Sequence, residues 1–169
     1  MFTTLLNPKS SSLRIGPSNV QGLGVFTEKA FSKGEIVCFF HGRKMSYKDY
    51  ASTPAYIRKR MCQYMMSMSE NRLCVPTRAD GSIPMFPPSH AGCLVNEASN
   101  KLKPNVMTQI PFNKGESIGC PFLGEDVAVY DWPMIALTDI PIGTELLTCY
   151  GSQYGPRNYN VSKLCKKCF

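Results

Sequence analysis

Apolar residues fall in short runs along this chain, each closed by turn residues, and no run repeats another. Residues 12–16 (SLRIG) and 22–31 (GLGVFTEKAF) predict strands on either side of a Gly-rich turn. Residues 33–42 (KGEIVCFFHG) read as a turn, a buried strand and a stop at Gly42, with His41 on the surface of that turn. Residues 53–61 (TPAYIRKRM) predict a short helix, Thr53 capping it and Pro54 in its first turn. Residues 63–69 and 72–77 flank Glu70-Asn71 as a hairpin, and 80–90 is loop by its Gly and Pro content. The runs 92–96, 105–110, 126–130 and 134–140 predict further short elements before a last strand at 145–150.

Composition supports the same class. The length of 169 residues suits one domain with a core of its own, and 13 Gly plus 13 Pro favour short strands over long helices. The expected fold is mostly β, with at most one or two short helices. No apolar run is long enough for a membrane-spanning helix. The first residues lack a basic n-region and a continuous apolar stretch, so no secretory signal and an intracellular protein are expected. Without secretion the eight cysteines are expected to stay reduced, most of them as small hydrophobes. Only Cys165 and Cys168 (CKKC) have metal-ligand spacing. Two ligands do not close a tetrahedral zinc site, so zinc is disfavoured and would need two further cysteines.

The net charge of +7 is unevenly placed. Residues 115–156 carry no Lys or Arg, but include Glu116, Glu125, Asp126, Asp131, Asp139 and Glu145. The basic residues elsewhere form no stripe with interleaved aromatics, which leaves direct nucleic-acid binding open rather than indicated. The acidic stretch contains Tyr150, a phenol at a strand end beside Gly151. Alone, that tyrosine reads as a buried ring with a wet hydroxyl. Alone, Gly22-Leu23-Gly24-Val25 reads as a hairpin needing two glycines, and it is no dinucleotide fingerprint because no third glycine and helix follow.

In order, however, the Gly-x-Gly turn, the Lys33-Gly34-Glu35 strand, Asn96 followed by Pro104-Asn105, and the terminus Ala136, Asp139, Ile140, Gly143, Glu145, Leu146, Tyr150, Gly151 form a set. The set resembles the SET domain, the fold of most protein lysine methyltransferases, over residues 12–154. Residues 1–11 then form an N-terminal extension and 155–169 a basic tail with CKKC. The stretch ELLTCYGSQYG is also similar to the PR subclass. The resemblance implies a β-clip of small sheets with a C-terminal pseudoknot, the last segment threading beneath Asn96.

It also implies S-adenosylmethionine as cofactor, wrapped by the backbone of Gly22, Leu23, Gly24 and Val25 and approached by Asn96. Tyr150 is the implied catalytic phenol, holding the polarised methyl group at the cofactor by weak C–H···O contacts. Two departures stand out: the usual Asn-His-Ser is Asn96-Glu97-Ala98, and three extra residues precede Pro104. Glu97 replaces a histidine that contacts the cofactor largely through its backbone, or it serves a different use. His90 falls at the edge of the cofactor site. Tyr64 lines the lysine channel or packs in the core. Thr148 stands where relatives carry a larger aromatic that limits methyl number, so more than one methyl is expected. Tyr154 closes the cofactor or peptide side. The implied partner is a basic protein, a histone tail by family expectation, which places the chain in the nucleus. Target choice falls to the groove itself or to another chain, in a homodimer or with an adaptor. The alternative is a catalytically weak SET-fold scaffold binding peptide or nucleic acid, which the Glu97-Ala98 departure keeps open.

Overall fold

A computed structural model describes residues 12–69, 71–109, 116–120, 123–151 and 159–167. Tyr154 and Cys168 lie outside the described residues. The fold is mostly β, built of small sheets with two short helices and three 3₁₀ turns among the described residues, as expected.

β1 (Leu13–Pro17) and β2 (Leu23–Thr27) pair as an antiparallel hairpin, Leu13 opposite Thr27 and Pro17 opposite Leu23. The Ser18 N–H donates to the Gly22 carbonyl at 2.9 Å, and Gly22 takes a φ of +53°, where a side chain is penalised. β3 (Ile36–Ser46) runs on through Gly42 instead of stopping there. Gly42 is required by crowding: a Cβ would stand 2.7 Å from Cys74 Sγ and 2.9 Å from the Val75 backbone. α1 (Tyr47–Ser52) follows, unforeseen, although Ser46 accepts from the Asp49 N–H in an S-x-x-D cap that the sequence displays. Thr53 closes α1, its N–H donating to Tyr50, rather than opening α2 (Ala55–Met61), whose N-cap is Pro54.

β4 (Met66–Ser69) and β5 (Arg72–Val75) form the expected hairpin, and β5 continues onto β3. The two runs at 126–130 and 134–140 merge into β9 (Gly124–Ala136), despite Pro133. Pro133 accepts from the Gln109 N–H, and a strand residue directs its N and its O to the same neighbour. The missing donor therefore lies past the last pair of β7 (Val106–Thr108), Thr108 with Met134, and short of the first pair of β8 (Glu116–Cys120), Glu116 with Tyr130. A proline is tolerated where no ladder bond is asked of it. The resulting sheet has the order β4-β5-β3-β9-β7, with β8 also on β9. Its core side chains include Val37, Phe40, Val106, Val129, Trp132 and Met134, joined by Leu13, Val25, Ile140 and Leu146 from outside the sheet. Burying each contributes about 1.5–3 kcal/mol.

β6 (Asn96–Glu97) and β10 (Leu147–Thr148) form the third sheet, two residues per strand and parallel. β10 is bonded along both edges. On one edge Leu146 donates to Val25 and Thr148 accepts from Ala98. On the other, Leu147 donates to Asn105 Oδ1 at 2.8 Å and accepts from the Asn105 N–H at 2.9 Å, while Asn105 Nδ2 donates to Glu145 O at 2.8 Å. The connection from Ala98 to Asn105 thus passes from one edge of the segment to the other and encloses it. This is the threaded arrangement that the SET resemblance implies, and it is rare among folds. Residues 159–167 return to the same place: Ser162 donates to Ala98 and Asn100 to Asn160. Cys149 and Cys165 form a disulfide with Cα atoms 5.1 Å apart, so the expectation of uniformly reduced thiols fails there. With Cys165 paired, the CKKC spacing does not by itself offer two thiolates to zinc.

Candidate functional site

The centre of the threaded region is the Asn96 side chain. Its Nδ2 lies 3.0 Å from each of three acceptors: Gln21 O, Leu23 O and Glu145 Oε1. Ser18 Oγ donates to the same Glu145 oxygen at 2.6 Å. The Gly-x-Gly turn, Asn96 and the C-terminal segment are therefore one hydrogen-bonded unit. Sequence reasoning placed Glu145 among the acids and in the ordered motif set but gave it no role at the site. Its signal was its fixed place in Gly143-Thr144-Glu145-Leu146, ahead of Tyr150. It also explains Gly24, where an added Cβ would collide with Glu145 Oε1 and stand 3.2 Å from Ser18. Gly22 is different: a Cβ there meets nothing within 4 Å, and Leu23 is exposed. The outer side of the turn is open to a ligand.

Tyr150 leaves β10 with its hydroxyl donating to Val95 O at 2.9 Å. Its backbone N–H donates to Glu97 Oε1 at 3.0 Å. Glu97 is only 2% exposed, and its other oxygen accepts from the Tyr159 hydroxyl at 2.9 Å. A buried carboxylate is tolerable when charge-assisted hydrogen bonds satisfy it. Glu97 thus joins the Tyr150 backbone to residue 159. Tyr159 was not foreseen, and no pattern in the sequence marks it.

The remaining expected residues are spread. Thr148 is buried on β10 beside Glu97, at 8% exposure. Tyr64 is half-buried and packs against the main core, as Met66 and Met68 do. His90 sits on a 3₁₀ turn (Pro88–His90) against the large sheet, its ring stacked on Phe39 at 5.6 Å. Burial pushes its imidazole pKa down, with Asp131 opposing and His41 adding to the fall. His41 is not on a surface turn: it lies within β3 at 5% exposure, its Nδ1 hydrogen-bonded to Asp131. Three of the acids that suggested a basic partner are engaged within the fold, Asp131 by His41, Asp139 by the Lys33 N–H and Glu145 as above.

The sulfonium methyl donor that the SET resemblance implies would meet two features of these residues. The turn at 22–24 has an open outer side, and a hydroxyl that donates to a carbonyl keeps its oxygen lone pairs as acceptors.

No family model matches the chain, and neither does any curated protein. Among solved structures it is similar to a Plasmodium falciparum protein described as a "putative histone methyltransferase", with a TM-score of 0.50 and 18% sequence identity. The match covers 86% of this chain and 97% of the other. At that identity the likeness shows a shared fold. No helix among the described residues is long and apolar enough to cross a membrane.

Proposed function

We propose that this chain is an S-adenosylmethionine-dependent protein lysine N-methyltransferase of the SET type, with its domain at residues 12–154 and a basic protein such as a histone tail as substrate. The observation that carries the reading is the convergence of three distant segments: Asn96 bonds the 21–23 backbone and Glu145, and Tyr150 bonds the residue next to Asn96. The shared fold with the Plasmodium protein supports it.

When bound, S-adenosylmethionine supplies an electrophilic methyl group on a cationic sulfur. The Gly22–Val25 backbone and Asn96 would hold it. The work of this chain is positioning and desolvation. Tyr150 presents a phenol oxygen as acceptor, its own proton committed to Val95. The substrate lysine, with a pKa of about 10.4 in water, must be neutral to react. An apolar channel favours that form by disfavouring the ammonium, and the SET resemblance assigns Tyr64 to its wall. Thr148 is smaller than the aromatic common in the family, so we take the product to exceed one methyl group.

Calorimetry with S-adenosylmethionine and label transfer to basic peptides test the reading. Wild type is expected to bind the cofactor and to transfer. Tyr150→Phe should slow transfer at least tenfold, about 1.4 kcal/mol, with cofactor affinity unchanged. Failure to bind S-adenosylmethionine, with peptide binding retained, would establish the scaffold alternative instead.

A further inference from the structure

The chain has two histidines, and both meet at one aspartate outside the site described above. We propose that His41, His90 and Asp131 bind one divalent transition-metal ion of the zinc class.

The three residues arrive from separate elements. His41 lies in β3, Asp131 stands opposite it in β9, and His90 ends the 3₁₀ turn that covers them. One ligand atom from each lies within 4.8 Å of the others. The His41 and His90 rings meet edge to face with centroids 5.5 Å apart. Phe39 stacks on His90, and Phe86 stands edge-on to His41 at 5.9 Å, so the polar atoms have apolar walls. The Ser89 hydroxyl lies 3.0 Å from His90 Nδ1, an outer hydrogen bond of the kind that orients a ligating imidazole.

A His–Asp pair alone would be an ordinary buried bridge. The second imidazole changes the chemistry, because two neutral imidazoles and a carboxylate are a nitrogen-oxygen ligand set for zinc. Bond lengths of about 2.0–2.2 Å ask the His41–Asp131 pair to open and His90 to move in around the ion. The hydrogen bond between His41 and Asp131 then opens, and the neutral His41 ring keeps its one proton on the nitrogen that does not bind the ion. Three protein ligands leave a fourth position for water or another donor. The bound ion would clamp β3, β9 and the 88–90 turn together. The proposal is independent of the methyltransferase reading.

The experiment uses the full chain, stripped with a chelator and then titrated with Zn²⁺ by calorimetry and with Co²⁺ by absorption. We expect one ion per chain, visible cobalt bands without a sulfur charge-transfer band, and a raised unfolding temperature with Zn²⁺. His90→Ala should weaken binding at least tenfold. Asp131→Asn, nearly isosteric, should do the same and decides the matter if His90→Ala fails to fold. No binding, unchanged affinity in the variants, or a thiolate band that places the ion on cysteines would overturn the proposal.

Discussion

The large sheet and the threaded region hold together in different ways. In the sheet, β3 and β9 share a long backbone ladder, with Phe40 opposite Trp132 and Gly42 opposite Tyr130, around an apolar core. In the threaded region the regular pairing is two residues long, and side chains replace the ladder. Asn105 acts there as a strand partner through its carboxamide, and Ser18 reaches Glu145 across 127 residues of sequence. Area stabilises the first region. Individual polar bonds with defined partners stabilise the second, so single atoms matter more there. The candidate site stands in the second region, where positioning is specific and the area per contact is small.

The largest test of this contrast is Trp132→Ala. Removing a buried indole from the sheet should cost about 3–5 kcal/mol in urea unfolding and move both regions together. Reduction of the Cys149–Cys165 disulfide should cost up to about 3 kcal/mol in the same assay, for a loop whose ends are 16 residues apart. Its effect should concentrate in hydrogen exchange at 159–167 and leave the β3–β9 amides protected. Asn105→Ala strips partners from the Leu147 N–H and the Glu145 carbonyl, worth about 2 kcal/mol, and should speed exchange at Leu147 while β9 stays closed. If Asn105→Ala loosens β9 equally, the two regions are one cooperative unit and the contrast is wrong.

The gentlest test uses the thiols. Burial pushes Cys38 and Cys93 up to about 12, and Cys74 well above its ordinary value by burial and by neighbouring Cys93 and Asp131. Cys62 is exposed. Because the thiolate is the nucleophile, iodoacetamide at neutral pH should modify Cys62 and spare the other three until the sheet unfolds. Peptide mapping by mass spectrometry reads this directly.

The contrast also explains what the sequence made legible. The sheet strands announce themselves through short apolar runs, and only local details misled: the runs at 126–130 and 134–140 were read as two elements, and a sequence does not show which edge the missing donor of Pro133 faces. Gly42 looked like a stop because its neighbour Cys74 comes from a different strand. The threaded region has almost no periodicity, and it was readable only as an ordered set of motif residues. Asn96, Gly24 and Tyr150 were found that way. Glu145 and Tyr159 were missed as partners because bonds spanning 49 and 62 residues leave no local pattern. His41 was misplaced for the same reason, since its burial depends on Asp131 and on a turn far along the chain.

The loop that closes at Asn105 has one more consequence, in the order of events during synthesis. Residues 96–105 leave the ribosome before 145–148, so the segment that flanks the last strand on both edges emerges before that strand. β3 and β9 both precede that strand in the chain, and their ladder uses none of its residues. Such long-range closure is slow, because its entropy is spent before its contacts form. The contacts of the threaded region would then be the last to form, those of Asn105 with Glu145 and Leu147 among them.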